Sequence, residues 1–198
     1  LYVHQVSIII KKDNGGTTMN QSSDTITLRP VGVVHNTINK PFLVAGDEGI
    51  TMRGEFNATR THIRESKDEI SEIVINEDFV GILDGIDEYS HVIVLYWAHE
   101  VPEQSRSLTK VHPMGRKENP LVGIYATCSP ARPNPVLMTV VRLCTRRGNV
   151  LEVTGLDAVN GSPVIDIKPY VPNHFPRDEV RIPEWMHRIH EEFGDRNR

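Results

Sequence analysis

Two stretches of the chain gather residue types that binding or catalysis requires. The first, Thr127-Cys128-Ser129-Pro130-Ala131-Arg132-Pro133-Asn134-Pro135, carries hydroxyls, a thiol, a guanidinium and an amide between two apolar runs. Its prolines fix φ and push each preceding residue toward extended geometry. The loop is therefore stiff, and its backbone groups stand in place before any ligand arrives, at low ordering cost on binding. Taken alone, such a loop is also an ordinary rigid connection between strands. The second stretch, Gly155-Leu156-Asp157-Ala158-Val159-Asn160-Gly161-Ser162-Pro163-Val164-Ile165-Asp166-Ile167-Lys168-Pro169-Tyr170, sets acids, amides, a lysine and a tyrosine around an Asn-Gly turn.

Standard catalytic constellations are missing. No Gly-x-Ser-x-Gly elbow occurs, and no Gly-x-Gly-x-x-Gly element follows an apolar run. His187 and His190 are spaced i, i+3, which more often faces solvent than holds a metal. Cys128 and Cys144 make no metal-ligand spacing and no disulfide framework, so a reducing, cytoplasmic setting is the default and no metal site is expected.

The elements that must position these residues read as β-structure. Residues 122–126 and 136–141 are apolar, β-branched runs on either side of the Pro-rich loop. A first strand is expected over residues 26–35, another over 70–75, and the strongest and most buried over 89–99, where Val92, Ile93, Val94, Leu95 and Tyr96 form an apolar core. Residues 76–87 read as an acidic turn region and 100–120 as a polar loop holding Arg106, Lys110, His112, Arg116 and Lys117. Arg146-Arg147-Gly148-Asn149 is a hairpin turn leading into a strand at 150–154. Asn160-Gly161 is typical of a type I′ turn, so the strands flanking it are expected to pair. Residues 36–67 are irregular, with a short helix over 61–67, and residues 3–10 could add an edge strand. Residues 182–194 read as a helix with Pro183 in its first turn and Trp185, Ile189 and Phe193 as its buried stripe. The expected fold is mainly β, a small barrel with irregular loops and a C-terminal helix. Residues 1–24 read as an extension or tail, 25–172 as the barrel domain, and 173–198 as a C-terminal extension bearing the helix.

The 198 residues are 38% hydrophobic and 24% charged, the mix of a globular protein. A formal net charge of −4 supplies no bulk basic field, so a nucleic-acid surface would have to be a local patch. No apolar run approaches the length of a membrane span.

Taken together, the Pro-rich loop and the Asn-Gly element resemble the TsaA-like (TrmO) family. Its members carry an Ala-Thr-Arg-Ser loop, an Arg-Pro-Asn-Pro-Ile-Gly element and an Asp-Gly-Thr-Pro-Val-x-Asp-Ile-Lys-Pro-Tyr element, and the resemblance runs over residues 31–172. It implies a TsaA-like β-barrel, S-adenosylmethionine as cofactor, N6-methylation of threonylcarbamoyladenosine in tRNA, and a homodimer. Carried over residue by residue, it implies cofactor contacts at Ala45, Gly46, Asp47, His91, His99, Cys128, Ser129, Arg132, Asn134, Met138, Asn160, Gly161 and Ser162. Asp166, Lys168 and Tyr170 match the closing Asp-Ile-Lys-Pro-Tyr and are the candidate catalytic residues.

The departures concern charge. Cys128 stands where the family has arginine, Leu137 replaces a glycine, Asn160 replaces an aspartate, and the family's Pro-Arg-Gln falls on Ala45-Gly46-Asp47. A guanidinium in such a place holds a carboxylate or phosphate by a two-pronged bond. Its loss suggests either an acceptor smaller than tRNA or compensation by Arg53, Arg64 or Arg132. A barrel that binds the cofactor without turnover, and an interaction protein whose Pro-rich loop docks a partner, are the competing readings.

Overall fold

Apolar side chains at every second position make one face of a strand bury, and here six such strands close around their own buried faces. The computed structural model describes residues 26–41, 43–46, 49–53 and 68–193. Among them lie strands β1 (Gly32–His35), β2 (Leu43–Gly46), β3 (Gly49–Met52), β4 (Ile70–Ile75), β5 (His91–Trp97), β6 (Lys110–Val111), β7 (Val122–Gly123), β8 (Val136–Arg147), β9 (Val150–Thr154) and β10 (Pro163–Pro169). The barrel runs β1-β10-β5-β8-β9-β4 and closes from β4 back to β1, all antiparallel. Val34, Ile73, Val92, Val94, Leu151, Val153 and Val164 fill its interior with no exposed surface. The barrel is thus a packed core with no lumen for a ligand.

A second, smaller core sits beside one end. Ile50, Val111, Ile124 and Ala131 pack together with Leu108, on the hairpin β2–β3, the short pair β6–β7 and the Pro-rich loop. The C-terminal helix α1 (Glu184–Phe193) buries Trp185 and Ile189 as its stripe predicts. No helix among the described residues is long and apolar enough to cross a membrane.

Several elements differ from expectation. The first strand is shorter, beginning at Gly32, although Val31 N–H already donates to Val164 O at 2.8 Å. The run 122–126 is strand only to Gly123. Ile124–Ala126 then turns as a 3₁₀ helix, because the amide (3.2 Å) and hydroxyl (2.8 Å) of Thr127 both close on Ile124 O. The acidic region holds 3₁₀ helices at Glu77–Leu83 and Ile86–Glu88, and the polar segment after β5 holds β6 and two more, Gln104–Ser107 and Pro113–Gly115. Leu95 is only half-buried, since it points to the outer face opposite Met138. The Asn-Gly turn joins no hairpin: β9 pairs with β4 and β8, and β10 with β1 and β5. Only Gly161 has positive φ there (82°), as at the third position of a type II turn. The expectations for residues 1–24 and 61–67 lie outside the described residues.

Face assignment makes a direct prediction. Leu151→Ala opens a cavity in the filled interior and costs about 2–5 kcal/mol in urea unfolding. Leu95→Ala, on the outer face, costs about 1 kcal/mol. Equal losses would show that the two faces are wrongly assigned.

Candidate functional site

Where the packed interior ends, a cavity of about 550 Å³ begins, within the range of small-molecule sites. Its barrel-side lining comes from one rim: Tyr96 and residues 98–100 at the end of β5, Leu137 at the start of β8, residues 155–159 after β9, and Ser162 just before β10. Ile50 and Val111 of the second core face it from the other side. The cavity is the seam between the two cores, and its walls are mostly apolar.

The Pro-rich loop enters this seam through Thr127, Cys128, Ser129 and Pro130. Its shape is held from within. Arg132 donates from Nε to Ser129 O at 2.7 Å and from its terminal nitrogen to Thr127 O at 2.5 Å. Ser129 Oγ accepts Ala131 N–H, and Thr127 Oγ1 accepts Ser129 N–H, each at 3.2 Å. Arg132 is therefore the brace of the loop and does not line the cavity. Asn134 is exposed, with its carbonyl accepting Val136 N–H at 2.7 Å at the head of β8.

The Asn-Gly turn is pinned just as firmly. Asn160 Oδ1 accepts the N–H of Asn36 at 3.2 Å, and the Asn36 amide donates to Ala158 O at 2.9 Å and Ser71 Oγ at 3.2 Å. Gly161 N–H donates to Val34 O at 2.8 Å. These bonds place Ser162, whose Oγ lies 3.3 Å from His99 Nδ1, at the cavity. A Cβ on Gly161 would sit 3.8 Å from His99 Nε2, so the turn is the floor under that imidazole.

Of the expected cofactor contacts, His99, Cys128, Ser129 and Ser162 meet in the cavity, with Arg132, Asn160 and Gly161 supporting them. Ala45 and Gly46 pair with Ile50 and Gly49 across β2–β3, a hairpin whose Val44 and Ile50 face the cavity, while Asp47 lies outside the described residues.

His91, Met138, Asp166, Lys168 and Tyr170 form a separate group on the barrel's outer face. Asp166 pairs with Leu95 and Lys168 with Ile93, outward positions beside Met138 and Val140. Lys168 Nζ contacts Asp166 Oδ2 at 2.6 Å, and the Tyr170 ring stacks on Phe175 at 4.9 Å and meets His91 edge-on at 6.4 Å. The cause is a bulge between Val164 and Asp166. Simple alternation would put Asp166 and Lys168 on the inward face with Val164, and the extra residue reverses the phase.

Other residues in the cavity were not among those expected. Tyr96 is 2% exposed, and its hydroxyl donates to the main-chain carbonyl of Asp157 and lies 3.3 Å from Thr139 Oγ1. Burial, with a smaller push from the Asp157 charge, holds its phenol well above the ordinary range, so it stays a donor. Asp157 is exposed, yet protein crowds its carboxyl where it lines the cavity, and that partial desolvation raises it. No described residue hydrogen-bonds that carboxylate. Asp157 lies three residues before Asn160, so its place near the turn is readable in the sequence, while its lack of a hydrogen-bond partner among the described residues is not.

On the opposite wall Met114 has φ 59°, followed by Gly115 at 68°. A Cβ on Gly115 would fall 2.2 Å from Ile50 O, so glycine is required where this segment crosses β3. Buried Asn119 holds the crossing, donating to Pro113 O at 2.9 Å while its own carbonyl lies 2.7 Å from His112 Nδ1.

Residues 55–174 match the family model of the tRNA-methyltransferase O N-terminal domain. The chain belongs to that family. A Methanothermobacter thermautotrophicus protein named a probable S-adenosyl-L-methionine-binding protein is 40% identical over 145 residues, 73% of this chain and 90% of its own length. An Archaeoglobus fulgidus protein named an S-adenosyl-L-methionine-binding protein is 38% identical over 145 residues, 73% of this chain and 89% of its own. A crystal structure of TrmO from Pseudomonas aeruginosa shares the fold at a TM-score of 0.58 and 23% identity, over 84% of this chain. This chain spans 64% of that structure's length.

Two outcomes test the site as built. Arg132→Ala removes two charge-assisted bonds to the loop and lowers unfolding stability by about 1.5–3 kcal/mol; no loss in urea unfolding would deny the brace. Asp157 binds its proton more tightly folded than unfolded, so stability falls as pH rises from the ordinary carboxylate range through its raised value. Asp157→Asn removes that slope. The difference in urea midpoint, variant minus wild type, therefore grows from pH 4 to pH 8, and a flat difference would place Asp157 in solvent.

Proposed function

We propose that the cavity binds S-adenosylmethionine and that the chain is a methyltransferase, with N6-threonylcarbamoyladenosine in tRNA as the first acceptor to test. What carries the reading is the Asp157 carboxylate, without a hydrogen-bond partner among the described residues, in an otherwise largely apolar cavity, in a family whose relatives are named for binding this molecule. The donor set fits. An apolar seam suits the faces of adenine, Asp157 suits a cation, and the braced backbone of residues 127–130 with Ser129, Ser162 and His99 suits polar edges. When bound, the cofactor supplies a methyl already activated on a sulfonium, so the protein's share is position and field. Tyr96 fixes the Asp157 segment through its main-chain carbonyl. Asp157 stabilises positive charge beside largely apolar walls, which strengthen its field.

Asp166, Lys168 and Tyr170 remain candidate catalytic residues only if a second copy brings them to a cavity, which is one ground for proposing a homodimer. The other is the exposed apolar strip beside them, Met138 at 60% and Val140 at 40% exposure, which a second copy would cover. The free thiols Cys128 and Cys144, both exposed, suit a cytoplasmic setting.

A smaller acceptor is the second reading, and the arrangement of cations favours it. Arg116 is bound to Glu118 and Glu192, and Arg106 lies over Trp97 at 5.4 Å while donating to Val101 O. The basic segment is thus partly neutralised, Cys128 brings no positive charge to the cavity, and Arg53 is the guanidinium among the described residues that lines it.

Wild type is expected to bind S-adenosylmethionine with a micromolar Kd, roughly −8 kcal/mol, by calorimetry. Folded protein giving no binding heat would end the proposal. Cys128→Arg is expected to leave that affinity within about threefold while methyl incorporation into unmethylated tRNA appears or rises. Robust wild-type methylation of tRNA, unchanged by the added arginine, would instead remove the small-acceptor reading.

A further inference from the structure

The family match ends at residue 174, before α1 begins, yet α1 helps to enclose the cavity. Trp185, Met186, Ile189, His190 and Phe193 fall on one helical face and all line it. An amphipathic helix ordinarily packs its apolar stripe tightly against its neighbour. Here Trp185 and Ile189 are packed to 7% and 9% exposure, yet the same face also borders about 550 Å³ of open space, where contacts are left unmade. Meanwhile the helix is fastened to the cavity's rim. Arg116 grips Glu192 with both terminal nitrogens, and the segment just before Arg116 is the Met114–Gly115 crossing that walls the cavity.

Building on the cofactor reading above, we propose that α1 is part of the cofactor site, with Trp185 and Ile189 forming the apolar wall against which the adenosyl group packs and the Arg116–Glu192 pair holding that wall. A flat heterocycle is the ligand shape an indole and a branched aliphatic side chain accommodate best, and an indole face also favours a nearby cation. The helix therefore supplies binding surface that the family domain alone lacks.

The test uses the full chain, with S-adenosylmethionine and S-adenosylhomocysteine as probes. Calorimetry is expected to show about tenfold weaker binding of both for Trp185→Ala and Ile189→Ala. Trp185→Phe keeps an aromatic wall and should stay within about threefold of wild type. Fluorescence gives an independent readout, because Trp97 does not line the cavity and Trp185 does. Either probe should change wild-type emission and leave Trp185→Phe unchanged, although that variant still binds. Circular dichroism confirms that each variant is folded. Wild-type affinity in both alanine variants, or an equal emission change in Trp185→Phe, would overturn the role of α1 while leaving the cofactor reading intact. Absence of binding by wild type would end both.

Discussion

Everything at the candidate site follows from how completely the barrel fills itself. Six strands enclose only enough volume for their own inward side chains, Val34, Val92, Leu151 and Val164 among them. A ligand must therefore sit outside, where the strands stop and a second layer begins. The second core around Ile50, Val111 and Ile124 cannot merge with the first, because the rim between them is made of turns whose backbone groups need partners. The seam is what remains, apolar on two sides and edged with pinned main chain.

That pinning is achieved by polar side chains used as fasteners rather than as ligands. Arg132 closes the Pro-rich loop onto its own carbonyls, Asn160 and Asn36 tie the turn to the end of β1, and Tyr96 fixes the Asp157 segment. Residues whose types suggest direct chemistry thus act by placing others. Ser129, Cys128, Ser162 and His99 reach the cavity only because these fasteners hold the backbone that carries them. Such rigidity lowers the entropy that binding would otherwise cost.

The barrel itself was legible in the sequence because alternation is a short-range signal: β4, β5, β8 and β9 lie where the apolar pattern places them. Helix α1 was legible for the same reason, from Pro183 and the spacing of Trp185 and Ile189. Pairing was not. The Asn-Gly dipeptide looks local, but hydrogen bonds from distant β1 decide its geometry. The outward turn of Asp166 and Lys168 was hidden for a sharper reason. One inserted residue at the bulge reverses the face of everything after it, and nothing in the side-chain pattern marks the insertion. Likewise Trp185 was legible as a buried residue but not as a cavity wall, since a periodic stripe says that a face is covered without saying by what.

Charge gives the departures from the family pattern a common meaning. Cys128 and Asp157 line one cavity, and the resemblance in sequence sets the thiol where an arginine is expected. With a guanidinium there, a carboxylate in the same apolar space would face a compensating cation, and the cavity could take an anionic group at little cost. With a thiol, that compensation falls to Arg53, which lines the same cavity. The field from Asp157 favours cations and that from Arg53 favours anions, and the low-polarity walls make both stronger than they would be in water. The substitution removes one positive charge that a polyanionic acceptor would use, and it leaves Asp157 free to face a positively charged sulfonium. Sequence change at one residue would alter what enters the site without altering the barrel that holds it, because Cys128 contributes to neither core.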